Sequence, residues 1–359
     1  MINLSNTNIS HSFYPGIDLT GIRLGVGSKA GGVPPDLFFD PSSFDQAWTV
    51  TGLTNDSPNK TTVKNLTGNG IDLTLNNFAF SKNSGYGLYI SDFTNWKANG
   101  EGVTLNKTAS SISVTTEARV NGLVTYISNE EWNVTKVRKL KVTSSDFVTG
   151  EVNINYYVGA GGGEYVELKV NGITEIPANP DFTGRIYLSL PSNKSGSVTV
   201  EEVPDYEGYL VMDGVDDSVT SPNFNLYDDF TFVGEWKLLP EGSGKNAGIV
   251  KSKKLYIYNI VSGMLVTINS TSINNKIQGI KSLKAVCSDG RVYDENWNEF
   301  QLNVGENSRE NSPIVIGSSA GNNLFTTLAF KNGAFYSDRL LTKEQCIKSY
   351  DYLQTLKHP

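Results

Sequence analysis

Apolar residues recur in this chain at every second position, in runs that end after a few residues, and that rhythm limits its folds more than any other feature. Ser111 to Thr115 carries Ile112 and Val114, Val152 to Tyr156 carries Ile154, and Tyr165 to Val170 carries Val166, Leu168 and Val170. A strand turns successive side chains to opposite faces, so each run buries one face. Corners at Gly150, Gly161-Gly162-Gly163, Asn171-Gly172 and Ser195-Gly196 separate the runs, with residues that tolerate the positive φ of tight turns. Short strands broken this often pair antiparallel, so the fold expected is all-β: multidomain antiparallel β-sandwiches with one short C-terminal helix. A length of 359 residues is too great for one ordinary sandwich.

Residues 1–45 read as irregular, because glycines from Gly16 to Gly32 and Pro34, Pro35 and Pro41 interrupt them. Phe13, Tyr14, Ile17, Leu37, Phe38 and Phe39 nevertheless give this segment more apolar mass than a linker keeps in water, so it is expected to anchor on its own body or on another subunit. Residues 46–87 are expected to be a β-hairpin connecting segment, with a turn signal at Asn69-Gly70 and with Leu73, Leu75, Phe78 and Phe80 alternating around Asn76-Asn77. Residues 88–203 form a middle sandwich and 204–359 a second one. In the second, Phe230, Phe232 and Trp236 share one strand face and Thr231, Val233 and Glu235 the other, which describes a half-buried strand. Thr342 with Gln345 makes a capping-box pattern, and Cys346, Ile347, Tyr350 and Leu353 follow at helical spacing. An amphipathic helix is expected to lie against the last sandwich.

Composition removes several functions. The net charge is −7 and no Lys/Arg cluster occurs, so the surface offers little to release counterions from nucleic acid. No run of apolar residues is long enough for a membrane span, and Met1 to Ser10 lacks the basic and apolar regions of an export signal. Cys287 and Cys346 are too few for a disulfide framework and are expected as buried free thiols. The only histidines, His11 and His358, lie near the ends, where solvated bystanders are the expectation and a His-based triad or multi-His metal site is all but excluded.

Asp213, Asp216 and Asp217 are the nearest approach to a constellation. Three carboxylates could offer oxygens to Ca²⁺, but Asp-Gly and Asp-Asp also make tight strand connections, and that reading is favoured because no specific metal motif is present. No cofactor is called for. Glycoside hydrolysis needs two carboxylates across a cleft, whereas the adjacent pairs Glu130-Glu131 and Glu201-Glu202 point to opposite faces in a strand, so no catalytic residues and no enzyme activity are expected. The five tryptophans and 17 tyrosines offer flat faces for sugar rings. Trp236 belongs to an alternating strand and is expected in the core; Trp132 and Trp297 sit in polar surroundings, EEWNV and ENWNEF, and are the candidates for ligand contact.

Three segments in order, LVMDGVDDSV, DDFTFVGEWK and PIVIGSSAGNNLFTTLAFKNGAFYSDRLLTKEQC, resemble the concanavalin A-like, laminin G-like superfamily, which implies a jelly roll at the C-terminal end. Together with LTGNGIDLTLNNFAFSKNSGYG and GSVTVEEVPDYEG, the chain also looks like virion proteins of crAss-like and related tailed phages of gut bacteria. That resemblance implies a head-fibre or capsid-decoration protein, assembled in the host cytoplasm and anchored on capsid or tail proteins through its N-terminal segment. A homotrimer follows from fibre habit alone, since no coiled-coil heptads are present. The alternative it implies is a tail-associated adhesin that recognises host-surface glycan.

Overall fold

The computed structural model describes residues 39–359 except 69, 91, 119–120, 133, 158–163, 224–225, 240–246, 261–262, 270–274, 281, 306–311, 320–323 and 326. Of the expected anchor, Phe13, Tyr14, Ile17, Leu37 and Phe38 lie outside the described residues. Phe39 lies within them, its ring centroid 6.0 Å from that of Tyr336.

Strands form where the alternation is sustained. The chain first makes β1 (Gln46–Thr49), β2 (Thr62–Val63), β3 (Leu73–Asn76) and β4 (Gly85–Leu88). There follow β5 (Lys97–Ala98), β6 (Val103–Lys107), β7 (Ser111–Thr116), β8 (Leu123–Ser128), the one-turn helix α1 (Asn129–Trp132), β9 (Arg138–Thr143), β10 (Asn153–Tyr157), β11 (Glu164–Glu167), β12 (Gly172–Ile176), β13 (Arg185–Ser189) and β14 (Gly196–Val203). Beyond Pro204 come β15 (Asp205–Asp213), β16 (Ser218–Thr220), β17 (Phe230–Leu238), β18 (Ala247–Lys251), β19 (Leu255–Ile260), β20 (Gly263–Ile268), β21 (Asn275–Gln278), β22 (Leu283–Cys287), β23 (Arg291–Asp294) and β24 (Glu299–Gln301). β25 (Val315–Ile316), the ribbon of β26 (Ser318–Ser319) and β27 (Leu324–Phe325), β28 (Thr327–Ser337) and the helix α2 (Lys343–Thr355) complete it. The ladders are antiparallel, and the fold is all-β apart from these short helices.

β5 to β14 build one sandwich, in which the sheet β11-β10-β13-β8-β5 packs on β12-β9-β14-β7-β6. Its core holds Ile112, Val114, Ile154 and Leu168, the residues that alternation turns inward. The other strands build a larger sandwich of two eight-stranded sheets, one ordered β24-β23-β22-β17-β28-β15-β4 with β1 also on β28, the other β2-β3-β16-β25-β18-β19-β20-β21.

Residues 46–87 are therefore not a connecting segment. β1 pairs with Asn332–Phe335 of β28, β4 with β15, and β3 with β16. Trp48, Val63, Leu73, Leu75 and Tyr86 lie in the core of the larger sandwich. The smaller sandwich is thus a guest, carried between β4 and β15 of a host whose two parts are separated in sequence. Alternation says which face of a strand is buried but not which distant strand covers it, and so these short runs read as a local hairpin. Part of that hairpin exists, since Thr62 and Val63 pair with Thr74 and Leu73. Asn77, at φ 66, instead ends β3, and Phe78 and Phe80 pack on the host core from a loop.

β17 is buried on both faces, not one. Phe230, Phe232 and Trp236 enter the host core, while Val233 joins Ala285, Tyr336 and Cys346 in a second layer outside the sheet. That layer exists because α2 lies there, with Cys346 and Leu353 buried. The capping box forms as the sequence predicts: Gln345 N donates to Thr342 Oγ1 and Thr342 N to Gln345 Oε1. Cys287 and Cys346 are buried free thiols, with Cys287 Sγ donating to Leu341 O at 3.9 Å and accepting from Thr231 Oγ1 at 3.7 Å. His358 is not a solvated bystander. Its backbone N–H donates to Thr51 O at 2.8 Å, its Nε2 accepts from Lys64 N at 3.0 Å, and burial lowers its pKa.

Candidate functional site

Asp213 ends β15, and Asp216 and Asp217 precede β16, so the chain reversal itself gathers three carboxylates with oxygens within 4.8 Å of one another. Asp217 is buried. Its Oδ1 accepts from Ser84 Oγ at 3.0 Å and its Oδ2 from Asp213 N at 2.9 Å, while Asp213 Oδ1 accepts from Val215 N at 2.8 Å. Gly317, at φ +83, packs against this turn, where a Cβ would strike Met212 Sδ. The acids thus hold the backbone of a strand connection, as Asp does in turns. Burial is the main cause that pushes the Asp217 carboxyl up to about 7.

Trp132, expected as an open stacking face, is wholly buried in the guest core. Its ring centroid lies 4.9 Å from that of Trp96 and 5.4 Å from that of Phe93, and the Arg138 guanidinium sits 4.1 Å above it and donates to Trp132 O. The polar text around it marks a one-turn helix whose Glu131 faces outward while the indole faces in. Burial pulls Arg138 down to about 10. Trp297 is partly exposed, but it packs at 5.7 Å on Tyr350 of α2 and at 6.1 Å on Tyr293, with Lys284 Nζ 5.1 Å from its ring. It belongs to the layer that seats the helix. Trp48, Trp96 and Trp236 are buried too, as large apolar surfaces commonly are.

The adjacent acids of β14 diverge as strand geometry requires. Glu202 is buried and accepts from Ile90 N at 2.8 Å, while Glu201 meets Lys141 at 3.4 Å on the surface.

What the residues do assemble is an aromatic row on the outer face of the guest sheet β11-β10-β13-β8-β5. Directly opposed residues share a face, and the register sets Lys97, Tyr126, Tyr187, Asn155 and Tyr165 in one line across all five strands. At strand spacings of about 4.8 Å the line spans roughly 19 Å. The Tyr126 and Tyr187 rings lie 5.7 Å apart at 40°, and the Arg185 guanidinium stands 4.8 Å above Tyr126. Tyr165, 67% exposed, closes the line at the β11 edge, where it also borders a cleft of about 590 Å³ lined by Glu164, Val166 and Pro177. Parallel to this row, Ser189, Asn153 and Glu167 form a second line on the same face. The side-chain oxygens of Asn153 and Asn155 are enclosed and have no hydrogen-bond donor among the described residues. Phenol rings, apolar on their faces and polar at their tips, suit a ligand that brings hydroxyls and flat apolar faces together.

The row was legible in part. In LVTYIS, NINYY and RIYLS the core residues Ile127, Ile154, Ile186 and Leu188 mark one phase of the alternation, and Tyr126, Asn155 and Tyr187 occupy the other. Tyrosines in the outward phase of neighbouring strands were the signal, and tryptophans in polar text drew attention from it.

Fold and site together define an all-β chain of two nested sandwiches with a tyrosine-lined sheet face. No family model matches the chain, and no curated protein does. Among solved structures it is similar to Trypanosoma rangeli sialidase in complex with the inhibitor DANA, at 10% identity over 81% of this chain and 68% of that one, with a TM-score of 0.31. It is also similar to the CBM22-1-CBM22-2 tandem domain from Paenibacillus barcinonensis Xyn10C, at 9% identity over 71% and 98%, with a TM-score of 0.22. Likenesses this distant say nothing of what this chain binds or does.

Proposed function

We propose that this protein is a non-catalytic, glycan-binding virion protein of the tailed-phage kind its sequence resembles, with the guest sandwich as its sugar-binding module. The observation that carries the binding role is the row Tyr126, Tyr187, Asn155 and Tyr165 on the outer face of the guest sheet, in which Tyr165 is exposed, Tyr126 and Asn155 are half-buried and Tyr187 is buried beneath its neighbours. Tyrosine presents rigid apolar area with a polar tip at low entropic cost, which suits a ring that is apolar on its faces and hydroxylated on its rim. The virion setting rests on the resemblance of residues 46–357 to phage head-fibre and tail-associated proteins, and the concanavalin A-like character of the host rests on its three quoted segments. Of the two readings that resemblance implies, the sheet face favours the adhesin. In this reading the segment before residue 45 joins the chain to capsid or tail proteins, and a homotrimer multiplies weak sugar contacts by avidity.

A glycan array probed with the full chain and with Tyr165→Ala and Tyr126→Ala variants tests the binding role. Specific binding that both variants lose is the expected result, and an array with no specific signal would end this reading. Mass spectrometry of purified particles tests the setting, since absence of the chain from them removes the virion assignment.

A further inference from the structure

We infer that the saccharide read by this face is acidic, with its anionic group seated at the corner formed by Lys97 and Arg185. The inference rests on the glycan-binding reading above and adds the ligand's charge and orientation. Lys97 stands opposite Tyr126 of β8, and Arg185, on the central strand β13 opposite Ser128, holds its guanidinium 4.8 Å from the Tyr126 ring, so both cations flank that ring on the tyrosine face. Both are exposed, and among the described residues neither meets a carboxylate at ion-pair distance.

Elsewhere on the guest some cations are engaged, while Lys136, Lys139 and Lys169 are exposed as Lys97 and Arg185 are. Lys141 meets Glu201, Lys194 meets Glu151 at 2.6 Å, and Lys107 donates to the carbonyls of Thr94 and Trp96. Two exposed cations beside one ring that meet no carboxylate among the described residues, in a chain of net charge −7, form a local positive field that a carboxylate, sulfate or phosphate on a sugar would complement. The guanidinium is already held over the Tyr126 ring, so little of its freedom is left to lose when it forks onto an anion. At the other end of the face Glu167, opposite Asn153 on β11, carries a negative charge. Nearer the cations, the Glu131 carboxylate accepts from Ser128 Oγ at 3.0 Å, so the acid at this corner is engaged by a hydroxyl. An acidic sugar belongs at the Tyr126 end, with neutral sugars continuing across the sheet toward the exposed Tyr165.

Aromatic rings beside cations also suit single-stranded nucleic acid. That ligand brings a phosphate at every step and calls for cations along the whole track, whereas Glu167 occupies the far end here.

The test uses the full chain on an array of microbial polysaccharides containing uronic or sialic acid beside neutral counterparts, followed by titration calorimetry with the best acidic and neutral oligosaccharides and with oligo(dT). Arg185→Gln and Lys97→Gln change exposed side chains, and their melting curves report whether folding is kept. The expected result is preference for acidic glycans, a loss of affinity of about tenfold in each variant, and weaker binding as salt rises from low to high. Neutral glycans bound as tightly through the tyrosines, with no effect of either variant, would overturn the acidic inference while leaving sugar binding intact. Binding of oligo(dT) that depends on Arg185 overturns it as well. No saccharide bound at all removes the inference together with the function it rests on.

Discussion

Leu88 on β4 stands opposite Asp205 on β15, so the chain leaves the host and returns to it at paired positions of one antiparallel ladder. Everything between them, the whole guest, is a loop in the host's topology. Glu202 supports this junction by accepting from Ile90 N, and Pro204, which separates β14 from β15, lies against Gly87.

Replacing residues 89–204 by a turn of about two to four residues, a length natural to antiparallel neighbours, should leave a folded host. A chain of residues 204–359 alone should not fold, because it lacks Trp48, Leu73 and Tyr86 of the host core. Circular dichroism and thermal melting of the two chains check this. A cooperative melt from residues 204–359 alone would show that β1 to β4 are dispensable.

Trp132→Ala should destabilise the guest by about 3–5 kcal/mol, the usual cost of emptying a buried aromatic site. Tyr165→Ala, at a position 67% exposed, should leave the melting temperature nearly unchanged while weakening sugar binding. Denaturant melts and calorimetry on both variants separate the structural ring from the binding ring, and a reversed pattern would place the site elsewhere.

Asp217 makes host stability depend on pH. Its folded pKa of about 7 lies above the model-peptide 3.8, so its contribution is complete below the lower value and is lost as pH rises through the higher one. His358 acts in the opposite sense, since its pKa is depressed and its contribution fades as pH falls below the ordinary histidine range. Melting temperatures measured between pH 4 and 8 in a His358→Gln background should therefore decline with pH, and Asp217→Asn should flatten the decline. An unaltered slope in Asp217→Asn would assign the titration to another group.

Thr342→Ala removes the side-chain acceptor of the α2 cap and should cost about 1 kcal/mol. The same helix shields Cys346, whose thiol pKa is pushed up by the neighbouring Cys287 and by burial. A thiol reagent should label neither cysteine in the native protein and both after denaturation. Rapid native labelling would mean that α2 leaves the sheet readily.

Much of the fold was readable because its strands obey local rules. Ile112, Val114 and Ile154 turn inward where period two puts them, and Thr342 and Gln345 cap α2 reciprocally. The nesting was not readable, because the pairing of β3 with β16 and of β1 with β28 depends on surfaces that only meet after collapse. Trp132 misled for a related reason: in a single turn of helix, polar neighbours at Glu131 and beyond say little about where the indole points. Of the acids, Asp213 and Asp217 answered to turn chemistry, which Asp-Gly and Asp-Asp already signalled.

The side-by-side passage of β4 and β15 also decides how a tug on a bound sugar chain reaches the rest of the molecule. Tension on the guest is divided between two adjacent strands whose ladder bonds run across them. Drawn along their length the two strands move together, and the load falls in shear on the ladder that β15 makes with β28, whose bonds must yield together instead of one after another, so the tether resists detachment better than a single-strand linker of the same composition.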